Sequence, residues 1–199
     1  MTFSVSLSLL AGRQVEVRQQ AALQSIMDQE TLAGVRRLVL FVVAMTLLFE
    51  AGGLVLLFAG WREAIPDPGL RFYHALFHAV SAFCNAGFST FSDSLMRFRA
   101  DPATNLTVCV LIVCGGLGFA VFRDVGRVVR ARVRSGGRRR MKLLVQTKMV
   151  LWMSLGMIGF GSLALLLLER QVAFADLPGA QRGWIALFQS VSTRTAGFN

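Results

Sequence analysis

The chain has 199 residues, of which 54% are hydrophobic and 16% are charged, and its mean hydropathy is +0.57. Soluble domains carry about 25% charged residues, so this composition argues against a soluble protein and indicates one that resides in a lipid bilayer. The formal net charge of +10 would suit a nucleic-acid binder if the basic residues covered a solvated face, but they cluster between apolar segments. We therefore expect no nucleic acid among the partners.

Three apolar segments are long enough for spanning helices, which need about 20 residues. They are residues 38–58, interrupted only by Glu50, residues 104–122 and residues 149–168. Residues 1–12 are apolar but too short to span, and they lack the basic start and the cleavage site of a signal peptide. We expect them to be the last turns of a helix whose beginning is missing.

The basic residues lie on one side of these spans. They are concentrated in residues 123–142 and, more weakly, in residues 13–37. Short basic loops beside spanning helices face the cytoplasm, which leaves residues 59–103 and 169–199 on the opposite face. The pattern predicts a multi-pass protein of the cell (inner) membrane.

The two outer segments contain the same phrase. Residues 77–89 read FHAVSAFCNAGFS and residues 188–199 read FQSVSTRTAGFN, so both place Val-Ser ahead of Ala-Gly-Phe. The two glycines, Gly87 and Gly197, are 110 residues apart, and the first copy has one more residue between its serine and its glycine. Membrane transport folds are commonly built from internal repeats, so the pair predicts one structural unit used twice.

Each copy lies in a stretch that is too apolar for an ordinary loop and too short to span. Residues 72–84 and 183–192 are 10 to 13 residues long, which is the length of a re-entrant helix. Non-helical backbone at membrane depth is tolerated where protein buries it or where it lines a water-filled cavity. We predict that the Ala-Gly-Phe turns are such backbone.

The predicted turns suit an alkali cation. Rings of backbone carbonyls replace the water shell of the ion in potassium-selective filters. Glycine permits the backbone angles that such a ring requires, and Gly87 and Gly197 supply it. A helix followed by the turn also favours a cation, because the carbonyl end of a helix carries partial negative charge. The alternative is that each turn is a glycine helix stop of the Schellman type.

The unit of helix, re-entrant helix, NAGF or TAGF turn and helix resembles the Trk/Ktr/HKT superfamily of potassium transporters. GGLGF at residues 115–119 matches the glycine-rich part of the second outgoing helix of that family, and residues 12–24 resemble the segment that closes its first repeat. The resemblance implies an all-α membrane protein of repeated helix/pore-loop/helix units, here a fragment of a four-repeat cation transporter. It implies potassium uptake through a carbonyl-lined selectivity filter formed by Asn85, Ala86, Gly87 and Phe88 and by Thr195, Ala196, Gly197 and Phe198.

The resemblance also assigns repeats to the chain. Residues 1–34 would be the end of the first repeat and a cytoplasmic linker, residues 35–134 the second repeat, and residues 135–199 the start of the third repeat as far as its filter turn. The first filter, the third outgoing helix and the fourth repeat would be absent. We therefore expect a fragment whose function belongs to the parent protein.

Partners and permeant ion follow from the same resemblance. Superfamily members commonly assemble as homodimers and bind a cytosolic nucleotide-binding regulatory subunit, and they lie in membrane lipid. The permeant ion would be K+, with Na+ as a second candidate, and no cofactor is expected. The chain is not expected to be an enzyme, since it has no nucleophile elbow, P-loop or Rossmann glycine pattern.

Several polar residues within or near the apolar segments are candidates for a specific role. Glu50 is either an ion-binding group or a partner of pore-helix hydroxyls such as Ser81. His74 and His78 have the i, i+4 spacing of zinc ligands but no third ligand nearby, and the alternative places both at the wet outer end of the pore helix. Arg194, beside a predicted filter turn, is expected to point away and bind a carboxylate or a carbonyl.

Charged loops also leave alternatives open. Asp93 and Asp101 would either enrich cations near the mouth or be solvated loop residues. The basic loop 123–142 would mark the cytoplasmic side, hold anionic lipid or contact an acidic partner. A second candidate function is therefore a non-transporting membrane protein that binds lipid or a partner through this loop, its glycine turns being helix stops.

Overall fold

The computed structural model describes residues 17–136, 141–169 and 178–198, without the side chains of residues 17–33 and of residue 180. Every regular element within these ranges is a helix, so the predicted all-α fold class is confirmed. The predictions for residues 1–12 lie outside the described residues. The elements are α1 (Val17–Gly60), α2 (Pro68–Phe83), a short 3-10 helix (Met96–Phe98), α3 (Pro102–Leu117), α4 (Phe119–Arg134), α5 (Val145–Leu168) and α6 (Gly179–Thr195).

The chain divides into two compact units, Met1–Ala44 and Met45–Asn199. The described part of the first unit is the N-terminal portion of α1. The second unit contains the rest of α1 and every later helix, including both copies of the repeated phrase.

Two helices within the described residues are long and apolar enough to cross a membrane alone. They are Gly34–Gly60, which forms the C-terminal part of α1, and α5. Their mean hydropathies are 2.3 and 2.0, and the most apolar window of α5 buries none of its residues against the rest of the chain. These apolar surfaces are suited to contact with lipid or with further membrane helices.

The third predicted span, residues 104–122, is broken. Helix α3 ends at Leu117 and α4 begins at Phe119, and the two axes meet at 96°. Gly118 makes the bend with φ +81° and ψ 148°, a backbone conformation that is essentially restricted to glycine. The prediction of one continuous helix is therefore wrong, because apolar composition carries no information about the backbone angles of a single residue.

Helices α2 and α3 begin in the same way, with an aspartate followed by a proline. The Asp67 carboxylate accepts hydrogen bonds from the backbone amides of residues 69 and 70, and Asp101 accepts from those of residues 103 and 104. Each aspartate thus satisfies amides that the first turn of a helix leaves unpaired, and the proline that follows has no amide hydrogen to satisfy.

An aromatic cluster around Trp61 forms part of the core. Trp61 is completely buried; its indole N–H donates to the Thr104 hydroxyl oxygen at 2.9 Å and its ring stacks on Phe98 at 4.7 Å between centroids. His78 and Phe91 pack edge-on against the same indole, at 5.2 and 5.7 Å. This cluster joins the end of α1, helix α2, the loop after the first Ala-Gly-Phe turn and α3 into one packed body.

Candidate cation filter

Helix α2 ends at Phe83 and leads into the first turn, residues 84–89. The Ala86 amide donates to the Ser81 carbonyl oxygen at 2.9 Å, and the Ser81 hydroxyl donates to the Phe88 carbonyl oxygen at 2.7 Å. The turn contains two positive φ angles, +54° at Asn85 and +69° at Gly87. Both ends of the turn are therefore tied to one serine of the pore helix.

Helix α6 leads into the second turn in the same manner. The Gly197 amide donates to the Ser192 carbonyl oxygen at 2.8 Å, and the Ser192 hydroxyl donates to the Phe198 carbonyl oxygen at 2.5 Å. Gly197 has φ +82°. Ser192 is fully buried, so this hydrogen bond is shielded from water.

The first turn is one residue longer than the second. The same pair of serine hydrogen bonds closes both, yet the first has one more residue between its serine and its phenylalanine. The first turn accommodates that residue with a second positive φ, at Asn85, where the second turn has only Gly197. Asparagine tolerates the left-handed region better than most residues do. The mismatch in the sequence alignment is thus a real difference in turn length.

The two turns lie against each other. The Thr195 hydroxyl donates to the Asn85 side-chain oxygen at 2.7 Å. A Cβ atom on Gly87 would overlap the carbonyl oxygen of Ala196. Glycine at 87 is therefore required twice, for its backbone angle and for this approach, whereas the space around Gly197 is open. The structure brings together both sets of predicted filter residues.

Helix α3 supports the turns from behind. A Cβ on Gly115 would overlap the Phe83 carbonyl oxygen and lie 2.8 Å from the Asn85 side-chain nitrogen. The Arg194 guanidinium comes within 2.9 Å of a Cβ position on Gly116, near the carbonyl end of α3. Within the described ranges no carboxylate forms an ion pair with Arg194, and the carbonyl alternative stays a prediction. A cation at that helix end is electrostatically favourable.

Both pore helices direct their carbonyl ends at the adjoining turns. Helix α2 ends in the first turn and α6 in the second, so the partial negative charges of two helix dipoles converge near one place. Together with backbone carbonyls in strained turns, this arrangement favours a cation and disfavours an anion.

His78 is buried beside the filter and does not lie at a wet helix end, so that prediction is wrong for this residue. Its Nδ1 is 2.7 Å from the His74 carbonyl oxygen, which can only accept, so Nδ1 carries the proton. Its Nε2 is 2.9 Å from the Ser89 hydroxyl, and its ring packs against Phe198. His78 thus links the pore helix to the segment after the first turn and to the second turn.

Among the residues that the structure describes, no metal cluster includes these histidines. His74 Nδ1 lies 2.6 Å from the Thr90 hydroxyl, and in the described part of the chain no three potential ligands come together. The zinc alternative therefore has no third ligand there. The Ser81 hydroxyl donates to the Phe88 carbonyl and therefore not to Glu50, whose two alternative roles stay predictions.

The two outer aspartates have structural roles. Asp101 caps α3, and its carboxylate also accepts from the Thr104 hydroxyl at 2.5 Å. Asp93 forms a two-pronged ion pair with Arg97 at 2.7 to 3.2 Å, and these hydrogen bonds hold the pKa of Asp93 below its usual value. Neither carboxylate is a free charge at the mouth.

The role of the two serines was not foreseen from the sequence. Ser81 and Ser192 occupy equivalent positions in the repeated phrase, and each holds the phenylalanine carbonyl of its own turn. The occurrence of a serine at the same position of both copies is the sequence feature that could have predicted this role. The contact between Thr195 and Asn85 had no such signal, because it joins residues of different repeats.

The fold and these turns are those of a membrane cation transport protein. The whole chain, residues 1–199, matches the family described as TrkH, cation transport protein. The chain belongs to this family, and the predicted resemblance to potassium transporters of the superfamily is confirmed.

Curated relatives agree with the assignment. The chain is 38% identical over 203 residues to the Ktr system potassium uptake protein B of Vibrio alginolyticus and 30% identical over 207 residues to that of Bacillus subtilis. It is 27% identical over 196 residues to the potassium/sodium uptake protein NtpJ of Enterococcus hirae. The alignments cover 100%, 100% and 95% of the chain but 42%, 43% and 40% of these relatives, respectively. The chain thus spans less than half of their length.

Proposed function

We propose that the protein takes part in potassium uptake across the cell membrane and that its two turns supply part of a carbonyl-lined selectivity filter. The observation that carries the proposal is the contact of two matched turns, each held by a pore-helix serine and each bent at a glycine. Two curated relatives are named as potassium uptake proteins. The filter residues would be Asn85, Ala86, Gly87 and Phe88 together with Thr195, Ala196, Gly197 and Phe198.

We assign different roles to the backbone carbonyls of each turn. The Phe88 and Phe198 carbonyl oxygens accept hydrogen bonds from serine hydroxyls, so we assign them to anchoring the turns. The carbonyls that precede them are the candidates for replacing the water shell of K+. Na+ is the second candidate ion, and one relative is named as a potassium/sodium uptake protein. No cofactor is needed for such passage.

Assembly is also part of the proposal. Two turns form part of a ring around an ion, so the pathway requires further filter segments beside these. We propose that the complete protein is a homodimer in the cell (inner) membrane and binds a cytosolic nucleotide-binding regulatory subunit. The assignment of residues 1–34, 35–134 and 135–199 to successive repeats remains a prediction.

Uptake of rubidium by potassium-uptake-deficient cells that express the complete protein tests the filter. We expect Gly87→Ser and Gly197→Ser each to lower potassium selectivity and rubidium uptake at unchanged protein level, because both positions have a positive φ that serine rarely adopts. Gly156→Ser in α5 is the matched control, since a Cβ there meets no neighbouring atom.

The outcome for Gly87→Ser should be the more severe, because a side chain at 87 also collides with the Ala196 carbonyl. Uptake and selectivity that stay at the unsubstituted level in both filter variants would refute the filter assignment.

A further inference from the structure

Helix α4 leaves the end of α3 at a right angle. The bend at Gly118 is 96°, and α3 is the apolar helix of the pair. If α3 crosses the bilayer, a helix perpendicular to it lies along the membrane surface. The basic composition of α4, with arginines at 123, 127, 130, 132 and 134, places that surface on the cytoplasmic side.

A buried aspartate fixes the rotation of α4 about its own axis. The Asp124 carboxylate accepts from the Leu144 amide at 2.8 Å and from Arg127 at 2.6 Å, and the Thr147 hydroxyl also bonds to it. Leu144 immediately precedes α5. The face of α4 that carries Asp124 is therefore turned towards the protein.

The opposite face of α4 is apolar, and the described residues leave it uncovered. Val129 and Val133, one turn apart, are 54% and 75% exposed. At 3.6 residues per turn they project roughly opposite to Asp124. An apolar face turned away from the protein, on a helix that lies along a membrane, faces the acyl chains near the interface.

The arginines form a stripe along a third face. Arg123, Arg127, Arg130 and Arg134 follow the spacing i, i+4, i+7 and i+11, so their side chains align on one side of the helix, between the Asp124 face and the valine face. All four are exposed. Of these four arginines, only Arg127 forms an ion pair with a described residue, so three charges of the stripe have no carboxylate partner there.

We propose that α4 is an interfacial helix whose arginine stripe binds the phosphate headgroups of anionic lipids in the cytoplasmic leaflet while Val129 and Val133 enter the acyl region. The juxtaposition of a basic stripe and an uncovered apolar face is that of a membrane-surface helix. An acidic protein partner would use the arginines but would leave the valines unexplained, which favours lipid. This inference does not depend on the filter assignment.

The first test measures lipid selectivity of the purified protein. In nanodiscs that mix phosphatidylcholine with phosphatidylglycerol, we expect phosphatidylglycerol to be enriched among the lipids retained by the protein. The triple variant Arg123→Gln, Arg130→Gln, Arg134→Gln should lose this enrichment by more than tenfold, since each basic residue near an anionic surface contributes about fivefold and three together contribute about a hundredfold. Arg127 is kept because it forms an ion pair with Asp124, which fixes the rotation of α4.

The control variant removes three exposed charges elsewhere, Arg36→Gln, Arg37→Gln and Lys142→Gln. It should retain most of the enrichment. Equal losses in the two variants would mean general electrostatic attraction and would overturn the site. Unchanged lipid enrichment in the stripe variant, with loss of a co-purifying acidic protein instead, would overturn the lipid assignment in favour of a protein partner.

The second test measures depth and does not rely on removing charge. Nitroxide labels at Val133→Cys and Arg130→Cys report their access to oxygen, which concentrates in lipid, and to a water-soluble nickel complex. We expect oxygen to dominate at 133 and nickel at 130. Equal access to nickel at both positions would show that α4 stands in water and would contradict the proposal.

Discussion

At the scale of single residues, a serine hydroxyl holds each Ala-Gly-Phe turn in place. Ser81 and Ser192 each donate to a phenylalanine carbonyl six or seven residues later. A net hydrogen bond of this kind contributes about 1 kcal/mol to stability, and the cost of removing it rises when the acceptor is left buried and unpaired. The serines therefore stabilise the backbone that the glycines make possible.

The prediction at this scale concerns Ser192. Ser192→Ala should lower the free energy of unfolding by about 1–2 kcal/mol, because the Phe198 carbonyl loses its partner in a buried site. Thermal unfolding of the detergent-purified protein measures the change. The neighbouring Thr193→Ala is the control, since Thr193 is exposed and bonds only to its own helix. Equal effects of the two substitutions would contradict the role given to Ser192.

At the scale of elements, the positions of four helices could be predicted from the sequence, but the break between α3 and α4 could not. The lengths of the apolar segments predicted helices where α1, α2, α5 and α6 lie, because hydrophobic length is a local property of the sequence. The right-angle bend depends on one φ angle at Gly118, within a glycine-rich run that reads equally well as helix packing. The contact between the two filter turns depends on tertiary packing, which a single sequence does not encode in any local pattern.

The prediction at the scale of elements concerns the junction of α4 and α5. The Leu144 amide above all, with the Thr147 hydroxyl and Arg127, holds the pKa of Asp124 below its ordinary value of 3.8. The ionised carboxylate is thus the form that the fold stabilises. The stabilisation of the fold by ionised Asp124 is fully present above pH 3.8 and is lost as the pH falls through the lowered pKa of this carboxyl.

Asp124→Asn should therefore lower the melting temperature by a constant amount from about pH 5 to pH 8, and the difference should shrink in more acidic solution. Melting curves of both proteins between pH 3 and pH 8 provide the measurement. A difference that grows as the pH falls would show that the sign, and hence the assigned role of the carboxylate, is wrong.

At the scale of the whole molecule, the packed core and the membrane-facing surface are made of the same residue types. The core gathers around Trp61, whereas the most apolar window of α5 has no buried residue, although Ser190 of α6 donates to the Ile158 carbonyl of this helix. Burial within this chain therefore cannot be read from hydrophobicity, since lipid and further membrane helices accept the same side chains.

A pair of phenylalanines tests this distinction. Phe98 is 6% exposed and stacks on Trp61, whereas Phe160 in α5 is 77% exposed. In the 199-residue chain, Phe98→Ala should cost about 3–5 kcal/mol of unfolding free energy, and Phe160→Ala should cost less than about 1 kcal/mol. Chemical denaturation in mixed micelles compares them. Similar losses at both positions would place Phe160 inside a packed core.

The hydrogen bond from Thr195 to Asn85 also bears on the order of assembly during synthesis. Its two residues are 110 positions apart, so the ribosome must extend the chain by that length before the first turn can acquire this neighbour. Until α6 and the turn after it have been synthesised, Gly87 has no carbonyl of Ala196 beside it. The first turn can therefore reach its final environment only after the second turn has been made, so the two cannot mature independently.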